Sequence, residues 1–187
     1  MPVQDAVGVL DGMKILKRLI ALVVATVSVP VLLAAPAHAV RMDVWDGFEN
    51  NPQRNWQIID WGGGRAGFDT GFGRGGSSNG WLNAGPPAMF AAMDIKVPVN
   101  TPAGAHCVVE IYAFALNPDT RKLMFILSSD GQTVQNPTLD ISGAGYSAVG
   151  FQFINSGAHT LDLAIYLPGN NRDQWARLDD LTISCFW

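Results

Sequence analysis

From residue 40 onward the chain alternates between apolar and polar residues with a period of two, and no stretch repeats at the helical period. In residues 107–115, Cys107, Val109, Ile111 and Ala113 share one face, and Val108, Glu110, Tyr112 and Phe114 share the other. Val149, Phe151 and Phe153 alternate with Ala148, Gly150 and Gln152, and Leu161, Leu163, Ile165 and Leu167 with Thr160, Asp162, Ala164 and Tyr166. The last run sets Leu181, Ile183 and Cys185 against Asp180, Thr182 and Ser184. Successive side chains of a β-strand point to opposite faces, so each run predicts a strand with one face in a core. Leu123, Phe125 and Leu127 alternate with Lys122, Met124 and Ile126, which predicts a strand covered on both faces. Turn formers separate the runs: Asn117-Pro118-Asp119, Asp130-Gly131, the glycines around Ser142, Asn155-Ser156-Gly157 and Pro168-Gly169-Asn170-Asn171. About nine strands spaced in this way predict an all-β fold, an antiparallel β-sandwich. Residues 61–85 are rich in glycine and read either as a long loop or as short strands joined by tight turns.

The first 39 residues follow a different pattern. Lys14, Lys17 and Arg18 precede an apolar run from Leu19 to Leu33, and Ala37-His38-Ala39 follows. That order is a secretory signal peptide of helical character with cleavage after Ala39 and translation expected to start at Met13. The apolar run is short for a bilayer-spanning helix of about 20 residues. The domain is then 40–187, with nine Lys and Arg against fourteen Asp and Glu, a net charge of −5. This acidic balance excludes an electrostatic nucleic-acid binder, which needs a basic face. The expected location is extracellular, with no membrane attachment once the leader is removed, and the expected state is a monomer.

In an exported chain, two cysteines read most simply as one disulfide. Cys107 shares parity with Val109 and Ile111, and Cys185 with Leu181 and Ile183. Both therefore face the core, where adjacent strands would join them; two separate buried thiols are the alternative.

No catalytic signature is present. The chain after residue 39 has two histidines, His106 and His159, and no G-x-S-x-G or H-E-x-x-H motif. Its only glutamates are Glu49 and Glu110. A hydrolase or lyase acting on glycans would have to draw its carboxylate pair from residues such as Glu110 and Asp162, so a non-catalytic protein is expected. An outer-membrane barrel is disfavoured, because Arg177 and Asp179 would face lipid and aromatic girdles are missing.

The domain opens with Trp45-Asp46-Gly47-Phe48-Glu49, followed by Trp56, and closes with Ala176-Arg177-Leu178-Asp179-Asp180-Leu181-Thr182-Ile183. This pairing of ends resembles the carbohydrate-binding modules of the galactose-binding-like jelly-roll type, modules of secreted bacterial proteins. The resemblance implies a jelly-roll sandwich and a polysaccharide or glycan partner. It also implies a structural calcium ion where the first and last strands meet. Glu49 and Asp179 would be ligands, with Asp180 and Asp46 as further candidates. Asp179 has the parity of Leu181 and Ile183 and so is expected to point inward, where a carboxylate needs a metal or a partner such as Arg177 or Arg65. The alternative function is a secreted structural or protein-interaction domain of the same fold.

Sugar sites combine flat aromatic faces with polar groups that orient hydroxyls. Glu110, Tyr112, Gln152, Asp162 and Tyr166 all face away from the expected core and would form one strip if their strands share a sheet. Trp61, Arg65 and Trp81, around the glycine-rich segment, form a second candidate surface. Trp45, Trp56 and Trp175 are expected to pack.

Overall fold

Each alternating run becomes a strand, and the runs pair into two antiparallel sheets that bury their apolar faces against each other. The structure, a computed structural model, describes residues 39–117, 120 and 122–187. The signal peptide, save its last residue, and the start at Met13 lie outside the described residues. Among the described residues there are twelve strands: β1 (Arg41–Asp46), β2 (Trp56–Ile59), β3 (Arg65–Thr70), β4 (Ser78–Asn83), β5 (Phe90–Pro98), β6 (His106–Ala115), β7 (Lys122–Ser129), β8 (Gln132–Gln135), β9 (Thr138–Asp140), β10 (Ser147–Ile154), β11 (Thr160–Pro168) and β12 (Trp175–Phe186). A short 3-10 turn, Pro52–Arg54, precedes β2. The count exceeds nine because strands of three or four residues, such as β2, β8 and β9, are too short to display a period.

Sheet I has the order β10-β6-β12-β4-β3, with β1 also on β12; sheet II has the order β2-β5-β11-β7-β8, with β9 also on β7. Between them lie Leu82, Met93, Ile95, Ile111, Leu123, Phe125, Leu127, Leu161, Leu163, Ile165, Leu178 and Ile183, all buried. Cys107 and Cys185 stand opposite each other in the β6–β12 register and form the disulfide. On β7, Met124 and Ile126 are only half-buried, so that strand is covered fully on one face rather than two. No helix among the described residues is long and apolar enough to cross a membrane.

β12 organises sheet I. β6 pairs along most of one edge of it. Its other edge is shared: β4 takes Trp175–Leu178 and β1 takes Leu181–Phe186. At the changeover the register shifts between Asp179 and Thr182, and Asp180 has φ of 48°. Such a bulge inserts one residue and reverses the facing of everything beyond it. Asp179 is therefore in step with Arg177, not with Leu181, and lies on the outer face of sheet I opposite Tyr112. This corrects the inward orientation expected from parity.

The glycine-rich segment resolves into the β3–β4 hairpin, with residues 71–77 as its connection. Gly71 turns the chain at φ 86°, a left-handed conformation that glycine adopts at no steric cost, and donates its N–H to the Ser77 carbonyl at 2.6 Å.

Candidate functional site: the aromatic face of sheet II

The outward residues of sheet II form cross-strand rows that follow from the register. One row runs Ile59–Ala92–Tyr166–Met124 and the next Gln57–Asp94–Ala164–Ile126. Beyond them come Lys96, Asp162 and Ser128. At the opposite end Phe90 carries the aromatic surface onward. Its ring meets that of Tyr166 at 5.1 Å and that of Trp61 at 4.5 Å, both edge-on. Trp61 follows β2 and is 69% exposed. The chain approaches Phe90 closely here: a Cβ on Gly62 would overlap its ring. The result is a continuous aromatic ladder, Trp61–Phe90–Tyr166, floored by the small side chains of Ala92 and Ala164.

Beside the ladder the charge is negative. Burial holds the Asp94 carboxyl above the ordinary carboxylate range, the neighbouring Asp162 pushes it further, and Lys96 opposes them. Burial, then the Asp94 and Asp162 charges, raise the Tyr166 hydroxyl as well, keeping it a neutral donor. Lys96 stands 3.9 Å from Asp162, a surface pair of little energetic weight. A carboxyl whose folded pKa lies above its unfolded value costs the folded state stability once pH passes the unfolded value near 4. Asp94→Asn is therefore expected to raise the melting temperature at pH 7 by about 1–3 °C, the scale of a fraction of a kcal/mol in a domain of this size. Below pH 3, where both carboxyl states are protonated, calorimetry should find no gain.

The strip expected from parity divides between two sides of the sandwich. Glu110, Tyr112 and Gln152 lie on the outer face of sheet I, while Asp162 and Tyr166 lie on that of sheet II. The second expected surface divides as well. Trp61 joins Phe90, whereas Trp81 packs against Trp175 on sheet I, ring centroids 5.5 Å apart and tilted by 37°, over Gly67. Arg65 lines a separate pocket at the sandwich end with Asn83 and the 85–87 turn. Trp56 is buried against Phe48, as expected of a packing residue, but Trp45 is 61% exposed.

Sheet I is not an open surface around Tyr112, because residues 71–77 fold across it as an arm. The Arg74 guanidinium lies 3.5 Å above the Tyr112 ring centroid. Phe72 receives the Arg177 guanidinium at 4.0 Å, and its carbonyl accepts the Tyr146 hydroxyl at 2.9 Å. Arg177 is in turn bound to Asp69 at 2.8 Å and to Asn79 at 3.1 Å, so it is not the partner of Asp179.

Of the four carboxylates that the resemblance assigns to calcium, Glu49, Asp179 and Asp180 hold this arm. Glu49 accepts the Ser78 N–H and the Ser77 hydroxyl, each at 2.9 Å, which holds its carboxyl below the usual range. Asp179 accepts the Arg74 N–H at 2.5 Å and the Asp180 N–H at 2.8 Å. Asp180 pairs with the Arg74 guanidinium at 2.8 Å. Asp46 accepts the Phe48 N–H and the Asn55 amide, both at 2.9 Å. Calcium requires six to eight free oxygen donors. Both oxygens of Asp46, Glu49 and Asp179, and Oδ2 of Asp180, already accept N–H or O–H donors, and among the described residues no group of three His, Cys, Asp or Glu could hold a metal. The arrangement does not fit the ion.

Phe90 and Asp94 belong to an alternation, Phe90, Ala92, Asp94 and Lys96 against Ala91, Met93, Ile95 and Val97, that marks an outward face in the sequence. Arg74 and Phe72 have no such signal, since they sit in an aperiodic glycine-rich connection.

No protein-family model matches the sequence, and no curated protein matches it significantly. Solved structures do share its fold. The module TmCBM61, in complex with β-1,4-galactotriose, superposes with a TM-score of 0.54 at 14% identity, covering 73% of this chain and 92% of the other. The CBM22-1 xylan-binding domain of Paenibacillus barcinonensis Xyn10C gives 0.56 at 13% identity, covering 76% and 92%. The C-terminal CBM6 of LamC, a marine laminarinase from Zobellia galactanivorans, gives 0.51 at 11% identity, covering 76% and 98%. The chain thus has the jelly-roll sandwich of carbohydrate-binding modules.

Proposed function

We propose that the protein is a secreted, non-catalytic carbohydrate-binding protein and that the outer face of sheet II is its binding surface. The observation that carries this reading is the Trp61–Phe90–Tyr166 ladder running beside Asp94. Sugar rings present C–H faces that pack on aromatic surfaces, and their hydroxyls need a few fixed polar partners. Here Tyr166, Asp94, Asp162 and Gln57 supply those partners along the ladder's edge. Two carboxylates against one lysine disfavour an anionic glycan, so the ligand is a neutral one. The fold neighbours support this reading: one is in complex with a galactotriose and another is a xylan-binding domain.

A glycan array probed with the purified, oxidised protein tests the proposal. Saturable binding confined to one class of neutral glycan is the expected result. A blank array from folded protein would overturn it and leave the ladder as a docking face for another protein.

A further inference from the structure

Glu49, in the loop after β1, and Asp179 and Asp180, at the β12 bulge, all hold the 71–77 arm, and carboxylates gathered along one segment are stabilised by a positive partner. We propose that Arg74 is the resident cation of this segment, a guanidinium supplied by the chain itself that pins the 71–77 arm over Tyr112 in place of a bound divalent ion. This does not rest on the carbohydrate reading.

Four observations carry the inference. The guanidinium sits 2.8 Å from Asp180 with its central carbon 3.5 Å above the Tyr112 ring centroid, so it meets both a carboxylate and a π face. The Arg74 N–H caps Asp179, which is 1% exposed and would otherwise keep only the Asp180 N–H as a partner. The arm's far end is tied to Glu49 through Ser77 and Ser78. Finally, the arm passes against that carboxylate: a Cβ on Gly76 would meet Glu49 Oε1 and displace the side chain that holds Ser77 and Ser78. Anchors, cation and glycines together describe a built lock.

The lock places a trypsin site, Arg74–Gly75, under its own control. Cleavage after Arg74 is followed in the native protein by mass spectrometry and expressed relative to cleavage after Lys96 in β5, which reports global unfolding, so that a rise in the ratio reports opening of the arm itself. Wild-type protein is expected to give the same ratio in excess calcium and in EDTA. Asp180→Asn removes the carboxylate, and asparagine tolerates the left-handed φ of position 180. That variant is expected to raise the ratio at least tenfold. Arg74→Gln, which lacks the trypsin site, is read by chymotrypsin after Phe72 and should likewise be cut at least tenfold faster than wild type. Faster cleavage of wild type in EDTA than in calcium would overturn the proposal, because a metal would then be the lock. So would an unchanged ratio in Asp180→Asn, or unchanged chymotrypsin cleavage in Arg74→Gln.

Discussion

Replacing Cys107 and Cys185 together by alanine is expected to destabilise the sandwich by about 4 kcal/mol, the chain-entropy value for a cross-link of this span. The bridge closes a loop of sequence separation 78 that contains β7, β8, β9, β10 and β11. In the unfolded chain it forbids most separations of β6 from β12; in the folded chain those strands are already neighbours. Both sulfurs are buried beside Val109 and Ile183, so their loss also leaves a small void. At about 2–4 °C per kcal/mol for a domain of this size, the melting temperature should fall by roughly 8–16 °C. Scanning calorimetry of the double variant against the oxidised protein measures this. A drop of less than about 2 °C would show that β6–β12 pairing persists in the unfolded ensemble and that the bridge adds little.

The two cysteines were legible because each lies in an uninterrupted stretch of its strand, Cys185 beyond the bulge, where parity with its neighbours gives the facing directly. Asp179 was not, although it is only six residues from Cys185. The bulge between Asp179 and Thr182 inserts a residue that a strict period of two cannot register, and the left-handed Asp180 has no mark in the sequence. A bulge there follows from topology: β12 must leave β4 and take up β1 on the same edge.

Tyr112 and Tyr166 show a second limit. Both alternate correctly with core residues and both point outward, but they lie on opposite sides of the molecule. Alternation reports whether a residue faces the core. Which sheet receives the strand depends on pairings across long separations, such as β12 with β4 and β11 with β5. The arm adds a third limit. Its ion pair joins residues 106 apart, and the glycines that permit its path announce only that the chain can turn. The aromatic ladder was half legible: Trp61 and Tyr166 stood among the candidates, and Phe90, which connects them, did not.

Trp61→Ala and Tyr166→Ala are each expected to weaken glycan binding at least tenfold, about 1.4 kcal/mol, and the double variant should abolish measurable binding. The argument rests on where each ring stands. Trp61 leans on Phe90 but is mostly exposed, so its truncation removes ligand-facing surface while costing the fold little. Tyr166 sits between Phe90 and Met124 and supplies both a packing face and a hydroxyl held neutral by its surroundings. Tyr112→Ala supplies the contrast. Its ring is occupied by Arg74, so affinity should stay within twofold of wild type while cleavage in the arm accelerates. Titration calorimetry with the soluble neutral glycan identified on the array measures the four variants and the wild type under one condition. Retained affinity in both sheet II variants, with loss in Tyr112→Ala, would move the binding surface to sheet I and make the arm the element a ligand displaces.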